Sequence, residues 1–434
     1  MQRDTGLSPQ LRFKSFSSQW LTVHLADCIE NIASGVSVNA SDEPVANASE
    51  NGILKTSCVY QGMFIESENK KIVDEAEILR ARINPRKGMI LVSRMNTPLL
   101  VGESGYVSND FDHLFIPDRL WAIVTKKEIN SRWLGYYLIT PRTRSILTAI
   151  ANGTSGSMKN ISQSNFLEIE VGVPSLMEQQ KIASFLSTVD TKIQQLTRKK
   201  ELLEQYKKGV MQKIFKREIR FRDAQGREYP EWEEKKLGEV LVFKQTNSFS
   251  RSLLNYNKGA IYNIHYGDIH TKLDAMFDAE NSPLPFINDS VDLSKIDSDS
   301  FCRTGDLIIA DASEDYKDVG KAIEVVKLGN SRVLSGLHTI LARDESGSTV
   351  VGFKGYLMQS DFVRRQIMTM ATGISVLSIS KSSLSKVRFR LPTKPEQQKI
   401  VGFLRQLDNR IQRLKRQLEL TKDFKKGLLQ QMFV

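Results

Sequence analysis

One long segment occurs twice in this chain. Pro174–Lys216 aligns without a gap with Pro392–Val434, and 20 of the 43 positions are identical. Unrelated segments of this length would share about two or three identical positions. The chain is therefore an internal duplication, and its fold has to use the same structural element twice.

The regions that precede the two copies also correspond, although more loosely. "RKGMILVSR" from Arg86 matches "RTGDLIIAD" from Arg303, and Trp20 aligns with Trp232. One scaffold element has stayed similar while the domains before it have diverged, which indicates two different tasks. The predicted boundaries are 1–173 for the first globular domain, 174–217 for the central helical repeat, 218–391 for the second globular domain and 392–434 for the C-terminal helical repeat.

Apolar residues in both copies recur in alternating steps of four and three, the spacing of a helix that buries a narrow seam against another helix. Each helix is expected to run for about 40 residues, or roughly 60 Å. Two such helices would most simply pair as an antiparallel coiled coil, with a globular domain at each end and an approximate two-fold axis. The residues predicted for this helix pair and for partner docking are Ile182, Leu186, Val189, Ile193 and Leu196 in the first copy and Ile400, Leu404, Leu407, Ile411 and Leu414 in the second.

The net charge of +11 is concentrated in the helical repeats. Pro174–Lys216 carries nine Lys and Arg against four Asp and Glu, and Pro392–Val434 carries ten against four, so the two segments hold +5 and +6. Because the rest of the chain is formally neutral, any DNA contact by the globular domains has to come from local clusters. The basic helices fit a solvated surface, a stripe that faces phosphates, or a surface for an acidic partner.

Both globular domains mix short apolar strands with amphipathic helical stretches, which predicts an α+β fold. A polar loop follows a buried strand in each domain. Arg94 and Asn96 in the first of these loops, and Lys317 and Lys321 in the second, are candidates to reach base edges or phosphates. Lys159, in the Gly/Ser loop "NGTSGSMKN", is a further DNA-binding candidate. Each of these stretches also fits an ordinary surface loop.

The motifs of several enzyme classes are missing. The sequence has no GxxxxGK[ST] phosphate loop, no Asn-Pro-Pro-aromatic or Asp-Pro-Pro-aromatic motif and no GxSxG elbow, and His265 and His270 lack a set of metal ligands around them. We therefore expect no catalytic residue, no metal and no cofactor. The lack of an apolar run of about 18–20 residues and of a signal sequence, with three widely spaced cysteines, predicts a soluble cytoplasmic protein.

The pattern P-x-x-x-E-Q-Q-K-I-x-x-F-L, present twice and each time after a diverged domain, resembles the specificity (S) subunit of type I restriction–modification systems. The resemblance covers essentially the whole chain. Trp20 to Leu25 and Trp232 to Leu237 carry the Trp-x4-Leu start of each domain. The first domain departs from the family pattern around Cys28–Val45, which is expected to be rich in loops.

This resemblance implies that each globular domain is a target recognition domain for one half of a split site in double-stranded DNA. The helical repeats would set the spacer and dock two methyltransferase (M) subunits, and restriction (R) subunits would join that core. Catalysis would then belong to the partners. Two other interpretations stay open at this point: a self-contained nuclease or methyltransferase, and a coiled-coil scaffold that binds proteins through its end domains.

Overall fold

The computed structural model describes residues 8–153 and 158–434, which divide into two compact units. The first unit is Met1–Thr197 with Arg416–Val434, and the second is Arg198–Lys415. The two long helices run from Leu176 to Phe215 and from Lys394 to Gln431, over 40 and 38 residues. The observed lengths confirm the predicted helices of about 40 residues. Each unit contains one globular domain and one part of each long helix.

The globular domain of the first unit is built on a six-stranded sheet. Its strands lie in the order Ile29–Ser34, Leu120–Thr125, Ile90–Ser93, Ser104–Tyr106, Gly62–Phe64 and Val59–Tyr60. All four residues of the strand Ile90–Ser93 are buried, as expected for an apolar run that is covered on both faces. Cys28–Val45, which is expected to be rich in loops, contains one strand, Ile29–Ser34, and this strand pairs with Leu120–Thr125.

Smaller elements complete this domain. Leu21–His24 pairs with Glu170–Val173, directly before the first long helix. The other strands are Gly52–Leu54, Asn69–Lys71, Met95–Asn96, Leu114–Phe115 and Lys159–Asn160, and the α-helices are Leu25–Cys28, Glu75–Arg80, Ser131–Leu138, Pro141–Ile150 and Gln163–Leu167.

The globular domain of the second unit repeats the central sheet with five strands. Their order is Val242–Lys244, Thr339–Arg343, Leu307–Ala310, Ala322–Lys327 and Met276–Asp278, and the last two strands are parallel. The corresponding strands of the first domain, Ser104–Tyr106 and Gly62–Phe64, are parallel as well. The two domains therefore share a sheet topology although their sequences have diverged.

A four-stranded sheet extends the second domain, and Glu233–Lys236 pairs with Arg388–Leu391 before the second long helix. The strands of the four-stranded sheet are Leu254–Asn255, Phe286–Ile287, Ile261–Ile264 and Arg332–Ser335, the remaining strands are Ala312–Ser313 and Leu377–Ser378, and the α-helices are Leu237–Val240, Tyr266–Thr271, Phe353–Leu357, Asp361–Met370 and Lys381–Ser385.

The two long helices pair antiparallel. Asp190 of the first helix forms an ion pair with Lys425 of the second in the first unit. In the second unit Lys207, which lies later in the first helix, pairs with Asp408, which lies earlier in the second. The structure thus confirms the predicted α+β class and the antiparallel helix pair. Among residues 8–153 and 158–434, no helix is long and apolar enough to cross a membrane.

Candidate nucleic-acid interface

The first predicted loop, residues 93–105, starts at the end of the strand Ile90–Ser93 of the six-stranded sheet. Arg94 directly follows the strand Ile90–Ser93, and its backbone N–H donates to the carbonyl oxygen of Arg119 at 3.1 Å. The carbonyl oxygen of Arg94 accepts from the N–H of Ile161 at 2.9 Å. The backbone therefore brings Arg94 and Arg119 together, although they are far apart in the sequence.

The second predicted loop, residues 310–321, is held in the same way. Asp311 follows the strand Leu307–Ala310 and donates its backbone N–H to the carbonyl oxygen of His338 at 3.1 Å. Its own carbonyl oxygen accepts from Ile379 at 2.8 Å. Both domains thus build one backbone frame around a strand end, and different side chains leave from it.

A partly buried arginine braces each loop. A guanidinium N–H of Arg144 donates to the carbonyl oxygen of Val101 at 2.8 Å, and a guanidinium N–H of Arg364 donates to that of Val319, also at 2.8 Å. Burial lowers the pKa of both arginines. The braces act on backbone atoms, so they fix the course of a loop without restricting its exposed side chains.

The three candidates of the first domain lie together. Asn96 pairs with Lys159 in a short antiparallel ladder just after Arg94. Asn96 is buried; its Nδ2 donates to Ser93 Oγ at 3.1 Å and its Oδ1 accepts from the Thr97 N–H at 2.8 Å. Asn96 therefore shapes the loop, while Arg94 and Lys159 remain partly exposed.

The two candidates of the second domain lie on one loop. Lys317 is exposed, and its backbone N–H donates to Asp315 Oδ1 at 2.8 Å. Lys321 is half-buried, and its Nζ donates to the carbonyl oxygen of His270 at 2.8 Å. Lys317 thus presents a charge to solvent, whereas the charge of Lys321 holds the loop to a neighbouring helix.

Sequence analysis missed three side chains at these strand ends: Arg119, Asp311 and His338. His338 Nδ1 lies 3.3 Å from Asp311 Oδ1, and their side chains are 52% and 30% exposed. Burial raises the pKa of Asp311 and opposes the effect of His338, which lowers it. The matching segments from Arg86 and Arg303 already aligned Arg94 with Asp311 and offered a signal for that residue.

The two histidines that sequence analysis set aside lie beside the second loop. His270 Nε2 is 3.0 Å from the carbonyl oxygen of Ala312. His265 is buried, and its backbone N–H donates to Asp268 Oδ2 at 3.1 Å. Within the two described ranges, no group of three or more His, Cys, Asp or Glu side chains is arranged to hold a metal ion.

The repeated glutamate of the helical motif is a buried ion-pair partner. Arg12 donates from Nε and Nη2 to Glu178 at 2.7 and 2.8 Å. In the second unit, Arg220 Nη2 donates to Glu396 at 3.0 Å, and Trp232 Nε1 donates to the same carboxylate at 2.8 Å. The glutamate therefore ties the start of each long helix to the segment that leads into its globular domain.

The following glutamine of each motif caps a domain loop. The Asn130 N–H donates to Gln179 Oε1 at 2.8 Å, and the Val350 N–H donates to Gln397 Oε1 at 2.8 Å. Both glutamines are almost fully buried. A buried side-chain amide requires hydrogen-bond partners. The same bond to a loop N–H in both units explains why the glutamine is the same in both copies.

A tyrosine from each globular domain donates a hydrogen bond to the aspartate of each ion pair between the long helices. Tyr136 donates to Asp190 Oδ2 at 2.6 Å, while Lys425 Nζ lies 2.7 Å from Asp190 Oδ1. Burial and the neighbouring aspartate raise the pKa of Tyr136. The second unit repeats this junction with Tyr356, Asp408 and Lys207 at 2.6 and 2.5 Å.

The predicted seam residues are largely buried. Ile193 is half-buried, and the buried ones are Ile182, Leu186, Val189, Leu196, Ile400, Leu404, Leu407, Ile411 and Leu414. Ile182 shares a core with Trp133 of the first domain, and Ile400 shares one with Phe353 of the second. The start of each long helix therefore packs on its globular domain as well as on the other helix.

Comparison with known proteins identifies the class to which this architecture belongs. Residues 19–205 and 229–422 each match the family described as "Type I restriction modification DNA specificity domain". Because the two matches cover most of the chain, the protein belongs to this family. The duplicated domain and helix seen in the structure are thus two copies of one family domain.

Curated relatives and solved structures agree with this assignment. The MjaVIII specificity subunit of Methanocaldococcus jannaschii is 23% identical over 94% of this chain and 91% of the relative. The EcoEI specificity subunit of Escherichia coli is 28% identical over 38% of this chain, and the match spans only 28% of that protein.

Two solved structures share the fold at low sequence identity. The type I S subunit of M. genitalium covers 99% of both chains with a TM-score of 0.55 and 15% identity. A second chain comes from a structure that concerns complex assembly and conformational transition of the type I R-M system. It covers 94% of this chain and 96% of its own, with a TM-score of 0.55 and 17% identity.

Proposed function

We propose that this chain is the DNA-specificity subunit of a type I restriction–modification complex and performs no catalytic step itself. The globular domains, residues 1–173 and 218–391, each read one half of a bipartite site in double-stranded DNA. The helical repeats, residues 174–217 and 392–434, set the spacer between the halves and dock two methyltransferase subunits. Restriction subunits join this core.

The observation that carries the proposal is the duplicated loop frame. The same backbone hydrogen bonds hold a loop at the same strand end in both domains, yet Arg94 stands in one frame and Asp311 in the other. A frame that stays constant while its exposed side chains change chemistry suits the recognition of two different sequences. Family membership supplies the kind of ligand, which is DNA.

The five residues predicted to bind DNA have two different roles in this proposal. Arg94, Lys159 and Lys317 contact the DNA, because Lys317 is exposed and Arg94 and Lys159 are partly exposed. Asn96 and Lys321 hold the loops in place, because their side-chain polar groups already have protein partners. With formally neutral domains, the isolated chain binds DNA weakly, and most affinity comes from the methyltransferase partners.

Docking of methyltransferase subunits is supported by the repeated junctions between helix and domain. The same ion pairs occur in both units, so the chain offers two equivalent surfaces to two copies of a partner. One of the similar solved structures concerns the assembly of a type I R-M complex. The number of partners is part of our proposal.

A genome-wide methylation map of the host, with and without this gene, tests the proposed function. We expect one bipartite methyladenine motif to disappear when the gene is removed and to return when it is restored. An unchanged map, with the methyltransferase partner shown to be expressed, would contradict the proposal and favour the protein scaffold instead. Methylation by the purified chain alone would contradict its non-catalytic role.

A further inference from the structure

One position of the fold carries opposite charge in the two domains. Arg94 and Arg119 occupy the backbone sites that Asp311 and His338 occupy in the second domain, and each pair is joined by an N–H to carbonyl hydrogen bond of 3.1 Å. A residue that only supports the fold is expected to be of the same type in both domains. Arg144 and Arg364, which brace the two loops, meet this expectation. These four residues therefore have a role that differs between the domains.

The pair in the first domain is a cationic donor site. Arg119 is exposed and Arg94 is half-buried, with an Nε that has no acceptor among the described residues. The arginines of this domain that form ion pairs in the described ranges are Arg12, Arg80, Arg86 and Arg144. Two arginines that lie outside that set, and whose backbones are joined by a hydrogen bond, fit a ligand rich in acceptors. The O6 and N7 atoms of guanine match the arginine fork.

The pair in the second domain is an acceptor site. Asp311 Oδ1 faces His338 Nδ1 at 3.3 Å, so Oδ2 is the oxygen that can accept from a ligand. An ionised carboxylate only accepts hydrogen bonds, and the N4 amino group of cytosine is the donor that it meets in the major groove. His338 has a φ of 53°, a left-handed conformation that non-glycine residues rarely adopt outside functional sites.

Large apolar side chains stand exposed on the loops beside both pairs. Leu99 of the first loop is 87% exposed, and Tyr316 of the second is 48% exposed. Ile374, in the segment whose end pairs with the second loop, is fully exposed. Such residues bury apolar surface when they contact a thymine methyl group or a base step. They provide exposed apolar surface on the loops beside each pair.

We infer that Arg94 with Arg119, and Asp311 with His338, are the specificity-determining pairs of the two domains. The first pair reads guanine and the second reads cytosine, so each half-site contains a G·C base pair that is read through opposite bases. This inference rests on the proposed function and adds the residues and the base chemistry.

Methylation maps of the complete complex, reconstituted with its methyltransferase subunits, test the inference. Arg94→Lys keeps the charge but loses the planar fork, and Arg94→Gln suits adenine instead of guanine. We expect both changes to relax a single guanine in one half-site, with discrimination at that position falling about 10- to 100-fold. Asp311→Asn should relax a single cytosine in the other half-site and leave the first unchanged.

Two matched controls separate base contacts from charge and stability. Lys87 is exposed and lies before the strand Ile90–Ser93, at the opposite end from Arg94, so Lys87→Ala should leave the motif unchanged. Asp289→Asn removes an exposed carboxylate elsewhere in the second domain and should also leave it unchanged. If Arg94 variants unfold, Arg119→Gln decides the question, because Arg119 is exposed.

The outcomes that overturn the inference differ from those that overturn the proposed function. Uniformly weaker methylation with an unchanged motif would show that Arg94 contacts phosphate only. Relaxation in both half-sites, or a half-site without any G·C pair, would equally refute the assignment. If the wild-type complex produces no bipartite motif at all, the proposed function fails first.

Discussion

Replacing Glu178 by glutamine should destabilise the first unit by about 3–5 kcal/mol. The side chains of Glu178 and Arg12 are 2% and 13% exposed, so water screens the pair little. Two hydrogen bonds of 2.7 and 2.8 Å join them. Glutamine keeps one acceptor but turns an N–H group toward the guanidinium and leaves the charge of Arg12 without a counter-charge.

Thermal unfolding followed by tryptophan emission measures this loss. Trp20, Trp121 and Trp133 lie in the first unit, so the main emission change reports on that unit. For a unit of about 150–250 residues, about 2–4 °C are lost per kcal/mol, which gives a fall in Tm of roughly 6–20 °C.

The matched control is an exposed glutamate of the same unit. Glu170 lies in the strand Glu170–Val173, and its side chain is exposed. Glu170→Gln should therefore cost at most about 0.5 kcal/mol. A fall in Tm for Glu178→Gln no larger than that of this control would refute the stabilising role of the repeated glutamate. The double change Arg12→Leu with Glu178→Leu should recover much of the loss, because no unpaired charge stays buried.

Two further perturbations test the loops and the core. Gly320 has a φ of 66°, and an added Cβ would overlap Ile367 Cγ2, whereas Gly347 has a φ of 63° and open space around it. In urea unfolding, Gly320→Ala should therefore cost about 1–3 kcal/mol more than Gly347→Ala; equal losses would mean that the loop moves aside. Burial raises the pKa of Cys28 to about 11 and also raises the pKa values of Cys58 and Cys302. Native protein at about pH 8 should then react with a disulfide reagent only after unfolding, since the thiolate is the nucleophile; rapid reaction before unfolding would contradict this.

Much of the architecture follows from the sequence because its strongest signals are local and long. The seam spacing extends over each repeat, and the helices begin at Leu176 and Lys394, shortly after Pro174 and Pro392. The buried strand Ile90–Ser93 was predicted from an unbroken apolar run. The strand Ile29–Ser34 was not predicted. Its buried and exposed residues do not alternate regularly, so it lacks the period of two that distinguishes a half-buried strand from a loop.

The residue pairs proposed to read bases could not be predicted from local sequence pattern. Arg119 reaches Arg94 only because two strands of the sheet pair antiparallel, and their register starts at Leu120 with Ser93. His338 reaches Asp311 through the equivalent pairing of Thr339 with Ala310. The sequence identifies the residue that follows a buried strand. It does not identify the residue of the neighbouring strand that lies beside it in the sheet.

The partner of the repeated glutamate was hidden for a similar reason. Glu178 lies in the first turn of the long helix, where the helix dipole favours a negative charge. The structure adds Arg12, which lies 166 residues earlier in the chain. Contacts over such separations depend on the completed fold, whereas capping and dipole effects can be read within one turn.

The difference between helix and loop contacts explains why one part of the duplication stayed similar and the other drifted. Glu178, Gln179 and Asp190 hold the first long helix to its domain through their side chains, so changing any of them disturbs the join. The loops are held mainly through backbone atoms and a few side chains such as Asn96 and Lys321, so their other exposed side chains can change while the frame stays in place. Under the proposed function, a few loop substitutions would therefore give one domain a new half-site while the helices keep the surfaces proposed for partner docking.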